Sequence, residues 1–130
     1  MKWSGNDSYA TPEYLYSALN SEFDFSLDPC PFNPDWPKAG TDGLQLDWNG
    51  HVVFCNPPWS DIMPWVNKAI ASKCLTVFLL PARTDTAWFH KLYAHKIEIR
   101  FFRKRVHFFD GNNNKKNPVD GTLVAIVRNN

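Results

Sequence analysis

The residues best suited to chemistry are Asn56-Pro57-Pro58-Trp59, which directly follow the short apolar run of residues 51–55. Two consecutive prolines hold φ at about −65° and remove two backbone donors, so the carbonyls beside them are rigid and lack an internal partner. The Asn56 side-chain oxygen and the Pro57 carbonyl can together accept both hydrogens of an exocyclic amine, while Trp59 offers a flat face to the ring that carries it. Two acceptors favour the pyramidal nitrogen that attacks an electrophilic methyl group without a metal or a covalent intermediate. The alternative interpretation of the same string is a rigid turn with a packed tryptophan.

Two further loops carry candidate ligand-binding residues. Asp28-Pro29-Cys30 follows an alternating apolar run, and the Asp28 carboxylate can accept from a cationic amino group or a hydroxyl of a small cofactor. Asp42-Gly43-Leu44 is typical of a tight turn, in which Asp42 is a candidate acceptor for a purine amine. Each loop also has a simpler interpretation as an ordinary turn. The sequence has no glycine-rich phosphate-binding loop, which disfavours dinucleotides and nucleoside triphosphates as cofactors.

These loops lie between elements that the apolar periodicity predicts. Thr11 as N-cap and Pro12 at the first helical position predict a helix that ends near Asn20. The other expected elements, in chain order, are a strand over 23–27, a strand over 51–55, a helix capped by Ser60, a strand over 75–80, a helix over 84–95, strand-like segments over 97–102 and 106–109, a loop over 110–118 and a strand over 121–127. Buried strands that alternate with helices predict an α/β fold, with a mostly parallel sheet flanked by helices.

Polar residues follow three of the predicted strands. Asp28 comes after the first, Asn56 after the second, and Pro81-Ala82-Arg83 after the third. Ligands of open α/β sheets bind outside the carboxyl ends of the strands. We therefore expect these three loops to line one crevice.

The composition predicts one globular domain over residues 1–130. Apolar residues make up 44% of the chain and charged residues 21%, which excludes a disordered composition. The three cysteines are odd in number and widely spaced, and they form no metal-binding spacing with the four histidines, so neither a disulfide framework nor a metal site is expected. The sequence has no apolar run of about 20 residues and no secretory signal at its start, which predicts a protein of the reducing cytoplasm with no membrane partner.

Charge is distributed unevenly along the chain. Residues 1–60 carry 2 basic and 8 acidic side chains, whereas residues 61–130 carry 12 basic and 5 acidic side chains. This division favours one face that binds an anionic polymer, although an ordinary solvated edge is the alternative. The candidate phosphate contacts are Arg100, Arg103, Lys104, Arg105, Lys115 and Lys116.

Taken together, these motifs resemble a known family. Asn56-Pro57-Pro58-Trp59 is similar to the [DNS]-P-P-[YFW] motif of amino-methyltransferases that use S-adenosylmethionine (SAM). The wider pattern resembles the small DNA N6-adenine methyltransferases of bacteriophages and prophages, through Thr11-Pro12-Glu13, Leu27-Asp28-Pro29-Cys30, Asp42-Gly43-Leu44 with Trp48, residues 54–60, residues 79–86 with Trp88-Phe89-His90, residues 98–101 and the strand 121–127. The match extends in order over nearly the whole chain.

The resemblance implies a compact Rossmann-like methyltransferase fold, a single catalytic domain, and DNA as substrate. It also implies that Asn56, Pro57, Pro58 and Trp59 hold a flipped adenine whose N6 attacks the methyl group directly. The cofactor contacts that it implies are Tyr9, Thr11, Pro12, Asp28, Pro29, Cys30, Asp42, Leu44 and Asn56. Arg83 would contact a phosphate or shape the site, or else form a structural ion pair.

The sequence departs from the family pattern at two points. The glycine-rich turn that usually follows the first strand is absent, and the acidic residue that usually holds the SAM ribose has no clear counterpart, with Asp35 as the nearest candidate. The chain also has no room for a separate target-recognition domain. Target reading must therefore come from short loops, from the partner in a homodimer, or be weak.

Three alternatives share some of these features. Cytosine N4 methylation of DNA uses the same acceptor geometry with a different pocket shape. Methylation of a protein glutamine amide also uses an N-P-P-Y type motif, but the basic second half of this chain argues against a protein substrate. A catalytically silent nucleic-acid-binding module that retained the fold is the alternative from another class.

If the chain is phage-encoded, its expected location is the host cytoplasm.

Overall fold

A central sheet with helices on both faces organises the chain. The computed structural model describes residues 10–32, 42–110, 112, 114–116, 118 and 120–130. Its helices are α1 (Glu13–Phe23), α2 (Met63–Ala71) and α3 (Ala87–Ala94), and a 3₁₀ turn spans Gly43–Gln45. Its strands are β1 (Val52–Cys55), β2 (Leu75–Pro81), β3 (Glu98–Phe101), β4 (Phe108–Phe109), β5 (Lys115–Lys116) and β6 (Thr122–Arg128). The α/β class is therefore confirmed.

The four-stranded sheet is mixed, with the order β1-β2-β6-β3. Strands β1 and β2 are parallel and are joined through α2, whereas β6 is antiparallel to both of its neighbours, β2 and β3. The expectation of a mostly parallel sheet is wrong for the described part of the chain. The reason is that no helix lies between β3 and β6 in the described residues, so the chain re-enters the sheet from the edge at which it left and must run back.

Strand side chains alternate between two apolar layers. Val53 and Cys55 of β1 pack on the face that α2 and α3 cover, together with Phe78 and Leu80 of β2. The intervening strand residues pack on the opposite face against α1, and this second cluster includes Leu15, Leu19, Phe54, Val77, Leu79, Val124 and Ile126. Burial on both faces explains why β2 and β6 read as continuous apolar runs in the sequence.

The first predicted helix and strand are shifted relative to the structure. Helix α1 begins at Glu13 with Pro12 in the cap position and no side-chain cap, so the expected capping by Thr11 is wrong. The helix extends to Phe23 and ends at Asp24, which has a left-handed φ of 55°. Of the predicted strand 23–27, only Leu27 pairs with the sheet, through a parallel bridge to Val53.

Other boundaries differ in smaller ways. Ser60 does not cap α2, whose N-cap residue is Ile62, whereas Thr86 caps α3 by accepting from the Phe89 N–H at 3.4 Å. The predicted loop 110–118 contains β5, which pairs with β4 in a two-stranded hairpin. The described helices include none with the length and apolar character to cross a membrane.

Candidate functional site

One edge of the sheet collects the three polar loops that the sequence singles out. Leu27 bridges to β1 in the parallel sense, and β1 is parallel to β2, so the three segments leave the sheet in the same direction. Asp28, Asn56 and Arg83 follow these three segments at or within two residues of their ends. The structure therefore brings them to one edge, where ligands of α/β sheets bind.

Asn56 is oriented by the segment that precedes α1. Its Nδ2 donates a hydrogen bond to Thr11 Oγ1 at 3.3 Å, in a half-buried position. Because the nitrogen and oxygen of an amide point in different directions, this bond turns Oδ1 away from Thr11. Thr11 thus contacts the Asn56 side chain instead of capping the helix.

The two prolines that follow are buried. The carbonyl of Pro58 accepts from the Asp61 N–H at 3.1 Å, so it is engaged in the turn that leads to α2. Of the two proline carbonyls, that of Pro58 is therefore occupied by a backbone hydrogen bond.

Trp59 is held by contacts on several sides. Its ring lies edge-on to Phe108, with centroids 5.3 Å apart and an interplanar angle of 79°. Its carbonyl accepts from Arg83 Nη1 at 3.1 Å, and its buried Nε1 has no hydrogen-bond partner among the described residues. These contacts fix the orientation of the indole.

Arg83 connects this loop to the segment before β6. Its Nε pairs with Asp120 Oδ2 at 2.7 Å, while Nη1 holds the Trp59 carbonyl. Of the roles expected for Arg83, these bonds favour the structural ion pair that shapes the site. Asp120 is a residue that sequence reasoning missed, because nothing in its local pattern indicates a partner 37 positions away.

Asp28 lies in apolar surroundings at the same edge. Desolvation raises the pKa of its carboxyl from 3.8 to about 6, although the Cys30 N–H, which donates to Asp28 Oδ1 at 3.2 Å, opposes the rise. Two thiols lie near this carboxylate. Burial, and to a smaller extent the charge of Asp28, raise the pKa of Cys30 to about 12, and burial is also the main reason why the pKa of Cys55 is raised. The Cys55 thiol is therefore a packed group and not a nucleophile. Asp28 is thus a half-buried carboxylate whose charged form is disfavoured by its surroundings.

The 3₁₀ turn packs directly on the loop that carries Asp28. Asp42 starts this turn by accepting from the Leu44 N–H at 3.0 Å, and the Gly43 carbonyl accepts from the buried Trp48 Nε1 at 3.0 Å. A Cβ on Gly43 would lie 1.8 Å from the Pro29 carbonyl oxygen. The two loops can approach this closely only because residue 43 is glycine.

We expect Gly43→Ala to destabilise the protein by about 1–3 kcal/mol and to weaken binding of any ligand held by Asp28. The reason is that the Pro29 backbone must move to make room for the methyl group. Thermal unfolding measures the first effect, with Gly121→Ala as control because a Cβ there meets nothing within 4 Å. Equal melting temperatures for the two variants would contradict the close packing of these loops.

The basic residues fall into two groups. Arg100 is engaged in ion pairs with Glu22 and Glu98 at 2.7 Å each, and its guanidinium lies 5.6 Å from the centroid of the Phe23 ring. The bonds to these glutamates raise the pKa of Arg100, so it serves the attachment of α1 to β3. The second group lies beyond β3 and has exposed side chains; its members are Arg103, Lys104, Arg105, Lys115 and Lys116. Within it, Arg105 donates to the Pro118 carbonyl at 3.0 Å, and Lys116 pairs with Asp110 at 3.6 Å.

Two of the residues singled out from the sequence fall in segments that the structure does not describe. Tyr9 and Asp35 lie outside the described residues. Over the part of the chain that the structure describes, no group of three or more His, Cys, Asp or Glu side chains is arranged to hold a metal ion. Phe108 is a further residue that the sequence did not identify, since an apolar residue in a short strand has no signal that links it to Trp59.

Comparison with known proteins gives two matches. The profile of the family described as DNA N-6-adenine-methyltransferase (Dam) matches residues 1–129. A protein of Haemophilus phage HP1 (strain HP1c1), named DNA N-6-adenine-methyltransferase, is 29% identical over 123 residues, which cover 84% of this chain and 70% of the phage protein. No solved structure matches the chain significantly.

Proposed function

Because the chain belongs to the DNA N-6-adenine-methyltransferase family, we propose that it methylates N6 of a flipped DNA adenine and takes the methyl group from SAM. Adenine-specific DNA methyltransferase activity follows from the family, and the cofactor, the flipped base and the residue roles are the proposal. The observation that carries it is the placement of Asn56 and Asp28 at one edge of the sheet. The loop at Asn56 is suited to the amine of the adenine, and the carboxylate of Asp28 is suited to the ammonium group of SAM.

The cofactor fits the residues at this edge. A buried carboxylate whose pKa is raised by desolvation gains stability when a cation approaches it, and the ammonium group of SAM is such a cation. We assign Asp28 to that group, with the Pro29-Cys30 backbone, Thr11 and Pro12 beside it, and Asp42 and Leu44 beside the adenine ring. When bound, SAM would supply an electrophilic methyl group: its S–CH3 bond would break as the bond to N6 forms, the thioether product would leave, and the proton lost from N6 would pass to solvent.

The target base is held by the Asn56 loop. We propose that Asn56 Oδ1 and the Pro57 carbonyl accept the two N6 hydrogens, while Trp59 stacks on the base. Thr11 contributes by fixing the direction of Oδ1, and Arg83 contributes by holding the Trp59 backbone. The bond to Thr11 orients the Asn56 amide before the base arrives, which reduces the reorganisation that the reaction needs.

Contacts with DNA phosphates are assigned to the exposed basic residues beyond β3. We expect Arg103→Ala with Lys104→Ala to weaken DNA binding and to make the plot of log affinity against log salt shallower by about 1.8, at about 0.9 per lost contact. A charge-matched control is Lys73→Ala with Lys96→Ala, since these two exposed lysines precede β2 and β3 at the opposite edge. Equal salt slopes for the two double variants would reject this phosphate-binding surface.

The decisive test is nucleoside mass spectrometry of unmethylated duplex DNA incubated with the protein and SAM. N6-methyladenine is the expected product. N4-methylcytosine would retain the acceptor mechanism and move the target base, whereas SAM binding without any methylated nucleoside would overturn the proposed reaction.

We place this reaction in the cytoplasm. Size-exclusion chromatography with light scattering tests whether the protein forms a homodimer.

A further inference from the structure

A groove lies beside the proposed adenine site, between the start of α1 and the β4–β5 hairpin. It has a volume of about 390 Å³ and is lined by Pro12, Glu13, Tyr14, His107, Phe109 and Lys115. Its size falls in the range of small-ligand sites, and one nucleotide has dimensions of this order. Most of these residues have no role in the function proposed above.

Each wall of the groove is joined in sequence to a residue that contacts the site. On one side, Thr11 precedes Pro12 and accepts from Asn56. On the other side, Phe108 precedes Phe109 and packs edge-on against Trp59. Thr11 and Phe108 are thus the sequence neighbours that link the groove lining to Asn56 and Trp59, although the side chain of Phe108 lies on the side of the hairpin opposite to that of Phe109.

The hairpin wall is held in place by hydrogen bonds at the end where its two strands are joined. Ala10 and Phe109 exchange two backbone hydrogen bonds, of 2.7 and 3.2 Å, which join the hairpin to the segment before α1. At the turn, the Asp110 carboxylate accepts from the Asn112 and Asn114 N–H groups, each at 2.9 Å. The groove is thus built before any ligand arrives.

The side chains facing the groove suit one unit of a nucleic-acid strand. Lys115 is opposite Phe109 in the hairpin register, so both side chains lie on the groove side, while Lys116 lies on the other side with Asp110. Tyr14 has 67% of its surface exposed, which leaves a ring available for stacking. The Lys115 ammonium and the His107 ring suit a phosphate. The Glu13 carboxylate accepts from Ser17 Oγ through Oε1 at 2.9 Å, and its Oε2 suits the exocyclic amine of a base.

We propose that this groove holds the nucleotide next to the target adenine, with its base on Tyr14 and its phosphate on Lys115 and His107. The inference rests on the proposed function and extends it. In this proposal, short elements of this chain recognise the target sequence. Because Glu13 repels phosphate and accepts from base amines, it sets the direction of the DNA strand in the groove. A DNA with an amine-bearing base beside the target is the preferred substrate.

The test compares Tyr14→Ala and Lys115→Ala with two matched controls. Tyr93→Ala removes an equally exposed tyrosine, 68% exposed on α3, and Lys73→Ala removes an exposed lysine at the opposite edge of the sheet. Binding of a fluorescein-labelled unmethylated duplex is followed by anisotropy at several salt concentrations, and SAM binding is measured by calorimetry. We expect Tyr14→Ala to weaken DNA binding about tenfold through lost stacking, and Lys115→Ala to reduce the salt slope by about one. SAM affinity should stay unchanged.

Two outcomes would overturn the groove assignment. One is DNA affinity equal to that of the Tyr93 and Lys73 controls, and the other is a loss of SAM affinity in Tyr14→Ala, which would assign the groove to the cofactor. Failure of the proposed function is separate, because it appears as wild-type protein that binds DNA but yields no methylated nucleoside.

Discussion

Asn56→Ala is expected to lower the rate of methyl transfer by a factor of about 10²–10³ while SAM and DNA affinities stay close to those of the wild type. The side-chain oxygen is one of two acceptors that act on the amine as its nitrogen becomes nucleophilic, so its removal is felt chiefly in the transition state. Single-turnover methylation with tritiated SAM measures the rate, and calorimetry measures cofactor affinity.

The control for this variant is Asn67→Ala on α2, where the asparagine accepts a hydrogen bond from Lys91 at the surface. It should leave the rate unchanged. A wild-type rate in Asn56→Ala would remove Asn56 from the mechanism, and equal losses of rate and SAM affinity would make it a cofactor contact instead.

Asp28→Asn is expected to weaken SAM binding about 100-fold and at the same time to stabilise the protein without SAM. Truncation of one partner in a buried charge pair costs about 2–5 kcal/mol, which is the source of the first effect. The second effect arises because burial raises the pKa of the Asp28 carboxyl from 3.8 to about 6, so the ionised form costs about 3 kcal/mol of stability near neutral pH. An amide of the same shape avoids that cost.

The pH dependence of both quantities has a definite sign. A carboxyl with a raised folded-state pKa is favoured when protonated, so Asp28 makes the protein without SAM more stable as the pH falls from about 6 toward 3.8. SAM affinity should fall over the same range, since the protonated carboxyl no longer pairs with an ammonium group. Glu22 and Glu98 have the opposite effect on stability. Hydrogen bonds from Arg100 lower the pKa of both carboxyls below 4.5, so the stability that these ion pairs contribute is lost only under more acid conditions.

Thermal unfolding and calorimetry between pH 5 and pH 8 test this prediction, with Asp47→Asn as control. The Asp47 carboxylate is exposed and accepts from the Asn49 N–H at 3.0 Å, so its replacement should leave SAM affinity unchanged. An Asp28→Asn protein that melts below the wild type, or that binds SAM normally at pH 8, would contradict the assignment.

The sequence by itself determined the α/β class and most element positions. Helix α2, strands β1 and β2, and strand β6 lie close to their predicted ranges, because continuous apolar runs and helical periodicity are local properties of the chain. It also identified the loop at Asn56-Pro57-Pro58-Trp59, since two prolines restrict the backbone whatever surrounds them. The family resemblance rested on these same local strings and is confirmed by the family match.

Only the tertiary structure decided how these parts meet. Strand β6 reads like any buried strand, and its reversed direction between β2 and β3 follows from the path of the chain, which no local pattern records. The same holds for Thr11 on Asn56, Asp120 on Arg83, and Gly43 against Pro29, whose partners are 14 or more positions apart. Charge patterning predicted a basic surface, but whether a cation faces solvent or an acidic partner, as Arg100 does, depends on which elements pack together.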